Sequence, residues 1–291
     1  TFFFHAEDGL RDVERSRGLG VVYKRQLKVQ DRVAVKPHAS PVFHAIQYML
    51  GRQTEDKLKA FRSLGGTQSY PSRTKDTGGV DFSTGSVGLG VAMTLFASMV
   101  QDYTRLNEVV NKQLANVNEP GRMIAVMGDA ELDEGNIYEA MLEGWKYDVR
   151  NLWWIIDYNR QSLDGVVSDG LFRKIQDFFD NVGWNVVPLK YGKKLEKVFC
   201  LQGGDTLRQW INDCPNDLYS ALPFKGQSGE KDAWRSPLKK DLRGVHGIKS
   251  ILEDHDDETL HALMTNLAGH DMEAVLEAFH SVTDDRPQCF I

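Results

Sequence analysis

Asp129 and Asn159 are the two residues of this chain best placed to do chemistry, because each stands just past a short apolar run. Arg122 to Met127 reads RMIAVM and ends at Gly128-Asp129, and Asn151 to Tyr158 reads NLWWIIDY and ends at Asn159-Arg160-Gln161. Runs of this length bounded by turn residues are expected as buried strands. Between them, Glu131 to Tyr147 carries Ile137, Ala140, Met141, Gly144 and Trp145 at helical spacing, so the segment reads as one β-helix-β crossover. Open parallel sheets bind ligands beyond the carboxyl ends of their strands, which brings Asp129 and Asn159 into one crevice. A carboxylate, an amide and a nearby main-chain carbonyl supply oxygen donors only, a set suited to Mg²⁺ or Ca²⁺ completed by phosphate oxygens and water. The phosphates would sit near the N-terminus of the helix after Asp129, where unpaired N–H groups and the helix dipole favour anions.

The elements that must hold these residues follow the same alternation. Leu171 to Val182 reads as a helix stopped at Gly183, Trp184 to Leu189 as a strand, and Thr259 to Leu267 and Met272 to Val282 as two helices separated by Gly269. Upstream, Ser86 to Leu106 reads as a long apolar-faced helix entered through Thr84-Gly85, with glycines at 85, 88 and 90 that allow a backbone or ligand to approach. The stretch from Asp217 to Asp241, rich in Gly, Pro, Ser and charge, is expected as a surface excursion. The fold class expected is α/β, a doubly wound, mostly parallel sheet between helical layers.

Bulk properties narrow the partners. A chain of 291 residues with 41% hydrophobic and 26% charged content suffices for one sizeable α/β core or two small ones. A net charge of -6 without any long Lys/Arg block argues against nucleic acid or an anionic membrane as the main partner. No apolar run approaches the ~20 residues that span a bilayer. Cys200, Cys214 and Cys289 lie too far apart for a zinc or disulfide framework, and are expected as mostly buried thiols in a reducing, cytoplasmic setting. The chain starts without Met, and HAEDGLRDVERSRGLGVVYKRQ resembles translated library-adapter sequence, so residues 1–26 are set aside from fold reasoning; an amphipathic N-terminal helix is the alternative. RPQCFI ends in an apolar extended run, and the chain is expected to continue beyond it.

The run GDAELDEGNIYEA followed by IIDYNRQSLDG resembles the thiamine-diphosphate motif of transketolases and homodimeric pyruvate dehydrogenases. The interval 159 − 129 = 30 residues is the one that motif expects. The resemblance implies that Asp129 and the Asn159 side chain coordinate Mg²⁺ together with the main-chain oxygen of Gln161. It also implies cofactor contacts at Gly128, Ala130 and Glu131. Two residues depart from the pattern: Ala130 replaces a usual Gly, and Asp157 stands where an Asn is common, adding a carboxylate that would disturb anion binding if it pointed inward.

Further segments agree in order along residues 30–291. KPHASPVFHAIQYMLGR resembles the pyruvate dehydrogenase segment whose histidine contacts the diphosphate, which places His38 there. SLGGTQSYP and STGSVGLG resemble the next two segments and implicate Tyr70 and the backbone of Ser86, Val87 and Gly88; DNVGWNVVPLKYG and LAGHDMEAVLEAF match later parts. Residues 27–291 would then form the diphosphate- and metal-binding domain, ahead of a pyrimidine-binding domain carrying the activating glutamate. The resemblance further implies cleavage next to a 2-keto group with thiamine diphosphate as electron sink. The partners implied are a 2-keto acid or ketose phosphate substrate, a second copy of the chain, and a lipoyl-bearing acyltransferase. The decarboxylation of a 2-keto acid is the leading activity, transketolase transfer of a two-carbon ketol unit the alternative, and a non-catalytic binding or assembly domain the reading from another class.

Single residues have plainer readings. His38, between Pro37 and Pro41, could be a loop histidine. His246 in RGVHG could be a mobile active-site histidine or a solvated loop residue. His44 reads as packing or surface, His270 as capping or packing with Asp271, and Trp153 and Trp154 as core or interface aromatics. Glu131, Asp133 and Glu134 read first as an acidic opening turn that favours the helix dipole.

Overall fold

The computed structural model describes residues 30–76, 79–107, 120–162, 165–166 and 170–291; the adapter-like segment 1–26 lies outside them. The elements in chain order are β1 (Arg32–Val35), α1 (Ser40–Met49), α2 (Glu55–Lys59), α3 (Leu89–Leu106), β2 (Met123–Gly128), α4 (Gly135–Lys146), β3 (Leu152–Asp157), α5 (Leu171–Asn181) and β4 (Asn185–Val187). There follow α6 (Lys193–Phe199), α7 (Gly204–Asp213), α8 (Asn216–Gln227), α9 (Arg235–Asp241), α10 (Ile248–Glu253), α11 (Asp257–Met264), α12 (Met272–His280) and β5 (Gln288–Phe290). The chain divides into two compact units, one holding the described residues up to Asp157 with Phe178–Val186 and Asp285–Phe290, the other holding Tyr158–Asp177, Val187–Asp284 and Ile291.

The first unit is built on a five-stranded sheet in the order β1-β2-β3-β5-β4. β1, β2, β3 and β5 pair parallel, with Val35 opposite Val126, Gly128 opposite Asp157 and Ile155 opposite Phe290. Strands covered on both faces read as continuous apolar runs. Accordingly Ala125, Met127, Leu152 and Trp154 are fully buried, and the two runs RMIAVM and NLWWIIDY are the neighbouring strands expected. The Trp154 indole N–H donates to Thr94 Oγ1 of α3 at 3.0 Å, while its ring meets Phe179 of α5 and Trp184. Helix α3 begins at Leu89, three residues later than Ser86, because Gly88 at its N-cap is left-handed, φ 80°.

The second unit has a helical core that includes Leu195, Ile211, Tyr219, Trp234, Leu238 and Met264. The expected surface excursion over 217–241 is therefore corrected: most of it forms α8 and α9, with Tyr219, Leu222, Trp234 and Leu238 buried. Four apolar anchors outweigh the local composition, and α8 accommodates Pro223 within it. Of the three free cysteines, Cys214 and Cys289 are buried and Cys200 is exposed. Burial pushes the Cys289 thiol well up. No helix among the described residues is long and apolar enough to cross a membrane.

One helix start in this unit yields a quantitative expectation. Asp271 caps α12 by accepting from the amides of Glu273 and Ala274, and it also accepts from Lys193 N at 2.8 Å. Desolvation raises its pKa, but these donors outweigh it, and the carboxyl is held below its ordinary value. The stabilisation is present above the unfolded-state pKa and is lost as pH falls through the lower folded value. Asp271→Ala is expected to cost about 1 kcal/mol at pH 7, with the difference from the parent shrinking in acid. Denaturant melts of both proteins at several pH values check this, and a difference that grew in acid would contradict it.

Candidate functional site

β2 ends at Gly128, and the chain turns at once into a 3-10 segment, Asp129–Asp133, before α4 starts at Gly135. The acidic residues thus occupy a tight turn, and the helix expected from Glu131 begins four residues later. Asp129 is buried, 3% exposed, and its Oδ1 accepts from Ala130 N at 3.0 Å. Glu131 is buried as well, and its two carboxylate oxygens accept from two backbone amides, Gly128 N at 3.1 Å and Gly88 N at 2.9 Å. It thereby joins the end of β2 to the loop that opens α3. Gly88 has no room for a side chain, since a Cβ there would lie 2.7 Å from Asn136 Oδ1 and 2.9 Å from Glu134 Cβ. Asn136 Oδ1 and Thr84 Oγ1 are buried without a hydrogen-bond partner.

The segment before α1 meets the same region. His38 is exposed in a 3-10 turn, with its ring centroid 6.5 Å from that of Tyr70. Tyr70 lies against Gly85, where a Cβ would be 3.6 Å from its Cδ2. Ser40 Oγ donates to Ser69 O at 2.5 Å, His44 Nε2 lies 3.1 Å from Gln68 O, and Thr84 N donates to Pro71 O at 3.0 Å. These bonds tie 68–71 between α1 and the loop carrying exposed Ser86 and half-buried Val87. His38, Tyr70 and Ser86–Gly88 are thus carried by mutually tied segments of one unit, and His44 is buried packing.

Lys36, immediately past β1, was not singled out in the sequence. Its Nζ donates to Asp157 Oδ2 at 2.5 Å, and it lies 4.0 Å from where a Cβ on Gly128 would be. The lysine is mostly buried and Asp157 half-exposed. The extra carboxylate at 157 is therefore neutralised by a cation spanning the carboxyl ends of β1, β2 and β3. A crevice at this edge is lined by Lys36, Pro37, Thr84, Val91, Val126 and Glu131.

The remaining expected residues belong to the second unit. Asn159 follows Asp157 by two residues and is exposed. Arg160, φ 61°, places its guanidinium 4.1 Å over the Tyr219 ring, and burial pushes the Tyr219 phenol up to about 12. Gln161 starts a two-residue strand, Gln161–Ser162, paired antiparallel with Gly165–Val166. His246 is exposed in the turn before α10. No cluster of three or more His, Cys, Asp or Glu suited to a metal occurs among the described residues, so Asp129 would need amide and main-chain oxygens beside it.

Comparison with known proteins identifies the family and the fold. The pyruvate dehydrogenase E1 component of Cupriavidus necator is 25% identical over 263 residues, covering 89% of this chain and 28% of that protein. The same component of Corynebacterium glutamicum is 27% identical over 274 residues, covering 88% and 27%. The chain thus spans little more than a quarter of the length of these relatives. Transketolase from Leishmania mexicana shares the fold, with a TM-score of 0.51 and 20% identity over 89% of this chain and 28% of that one. The family described as transketolase, thiamine diphosphate binding domain, matches residues 25–200, more than half of the sequence. This chain belongs to that family of thiamine diphosphate binding domains.

Proposed function

We propose that residues 27–291 form the diphosphate- and metal-binding domain of a pyruvate dehydrogenase-like enzyme that decarboxylates a 2-keto acid, and that Asp129, Asn159 and the main-chain oxygen of Gln161 hold Mg²⁺. The observation that carries the reading is the parallel register of β2 and β3. It ends the two strands level, Gly128 opposite Asp157, so both loops leave one sheet edge. The donor chemistry fits the group: a buried carboxylate at Asp129, unpartnered oxygens on Thr84 and Asn136, and a lysine at the same edge.

Bound thiamine diphosphate supplies the nucleophilic carbon and the electron sink that bond cleavage needs. This chain's residues do the holding. Asp129 and Asn159 would hold the metal, Glu131 holds the Gly88 and Gly128 loops in place, and His38 and Tyr70 would border the diphosphate. His246, exposed in the turn before α10, is assigned a catalytic role in the same enzyme.

A pyruvate dehydrogenase-like enzyme is favoured over transketolase by the similarity to pyruvate dehydrogenase E1 components over 89% and 88% of this chain. A second copy of this chain is the proposed partner. Helices α3 and α4 leave Phe96, Val100, Tyr103, Leu142 and Trp145 exposed, an apolar expanse on neighbouring helices that single soluble units seldom leave uncovered. A lipoyl-bearing acyltransferase as acceptor, and a reducing cytoplasm consistent with the free thiols, belong to the same reading.

Calorimetric titration of the chain with thiamine diphosphate tests this: binding is expected with Mg²⁺ and absent in EDTA. The same preparation is expected to turn over neither pyruvate nor xylulose 5-phosphate, because catalysis needs the activating glutamate that the resemblance assigns to a following domain. Cofactor-dependent turnover would show that the proton-transfer machinery lies within these residues.

A further inference from the structure

We propose that Lys36 is the cation that receives the diphosphate, and that Asp157 is its resident anion, which the ligand displaces. The inference rests on the proposed function, because it takes the carboxyl edge of β1–β3 to be where the diphosphate lands.

Three observations carry it. Lys36 does not run out to solvent as a strand-end lysine ordinarily would: it is mostly buried and lies across the end of β2, within 4.0 Å of the open position above Gly128. Its ammonium donates to the Asp157 carboxylate at 2.5 Å, a negatively charged oxygen held at the edge where phosphate oxygens are expected. Finally, Thr84, which lines the same crevice as Lys36 and Glu131, keeps a buried hydroxyl with no partner, a donor left over for an incoming oxygen.

An ammonium on a flexible stem carries three rotatable donors and can change partners by small torsional moves. When a diphosphate arrives, two negative groups compete for one lysine. The one with more charge and more acceptor oxygens takes it, and Asp157, half-exposed, turns to water at little cost. Asp157 thereby neutralises Lys36 in the empty protein and lowers affinity for every anion that does not bring enough charge to replace it. An ordinary structural ion pair would behave differently: removing either partner would alter stability slightly and leave ligand affinity alone.

The two substitutions therefore have opposite expected signs. Lys36→Met, which keeps the apolar stem, should weaken binding of both thiamine diphosphate and inorganic diphosphate, each with Mg²⁺, about tenfold or more. Asp157→Asn should tighten both about fivefold, by removing the competitor and one repelling charge. Lys36→Arg should stay closer to the parent than Lys36→Met. Calorimetric titration of the 291-residue chain and its variants reads the affinities, with thermal melts confirming that each variant is folded. Parent protein that binds while Lys36→Met and Asp157→Asn bind equally well, or shift in the same direction, overturns the exchange and leaves the functional reading intact. A parent protein that binds neither diphosphate with Mg²⁺ overturns both.

Discussion

Asp129→Ala is expected to abolish Mg²⁺-dependent binding of thiamine diphosphate, and Asn159→Ala to weaken it severely. In the proposed site Asp129 would supply the charged donor, and its attraction to a divalent cation exceeds that of an amide dipole, the more so because the carboxylate is buried and screened little by water. Asn159 offers one neutral oxygen, so a water molecule can replace part of what is lost. In the parent, Asp129 also accepts from Ala130 N. Asp129→Asn, which keeps that acceptor and the side-chain volume, separates loss of charge from loss of local structure. Affinity close to the parent's in both alanine variants, measured by titration with Mg²⁺ present, would remove these two residues from the metal site.

The largest stability effect is expected at Glu131. Its carboxylate accepts from the backbone amides of Gly88, in a buried setting, and Gly128, in a partly buried one. Glu131→Ala leaves two donors without an acceptor, each at about 1–3 kcal/mol, so a loss of about 3 kcal/mol is expected. For a chain of this size that corresponds to a fall in Tm of roughly 5 °C. Glu131→Gln should fall between the two, since one oxygen remains while its NH₂ faces an N–H. If the residue only complemented the helix dipole from an acidic first turn, the loss would stay below about 1 kcal/mol. Thermal melts without cofactor tell the two roles apart, because ligand binding adds nothing to the measured stability there.

Much of this arrangement was legible in the sequence for physical reasons. RMIAVM and NLWWIIDY are unbroken apolar runs closed by Gly-Asp and by Asn, the pattern that strands buried on both faces must have, and they became β2 and β3. The Asp271 cap, the α5 stop at Gly183 and the buried Trp154 followed equally from local chemistry. What escaped depends on partners distant in sequence. Glu131 acts through an amide 43 residues away, which no spacing rule reveals. Lys36 is a lone lysine until folding lays it over Gly128 beside Asp157. The 217–241 stretch hides four core residues among Gly, Pro, Ser and charges, and tertiary burial, which local composition does not record, made it helical.

The central claim is that this chain, through Asp129, binds a divalent metal together with a diphosphate. Mn²⁺ substituted for Mg²⁺ gives a direct reading, because the electron paramagnetic resonance signal of free Mn²⁺ falls as the ion is taken up. The account predicts uptake of one Mn²⁺ per chain only when thiamine diphosphate is present, and almost none in Asp129→Ala under the same conditions. Uptake that is indifferent to the diphosphate, or that survives unchanged in Asp129→Ala, would contradict it.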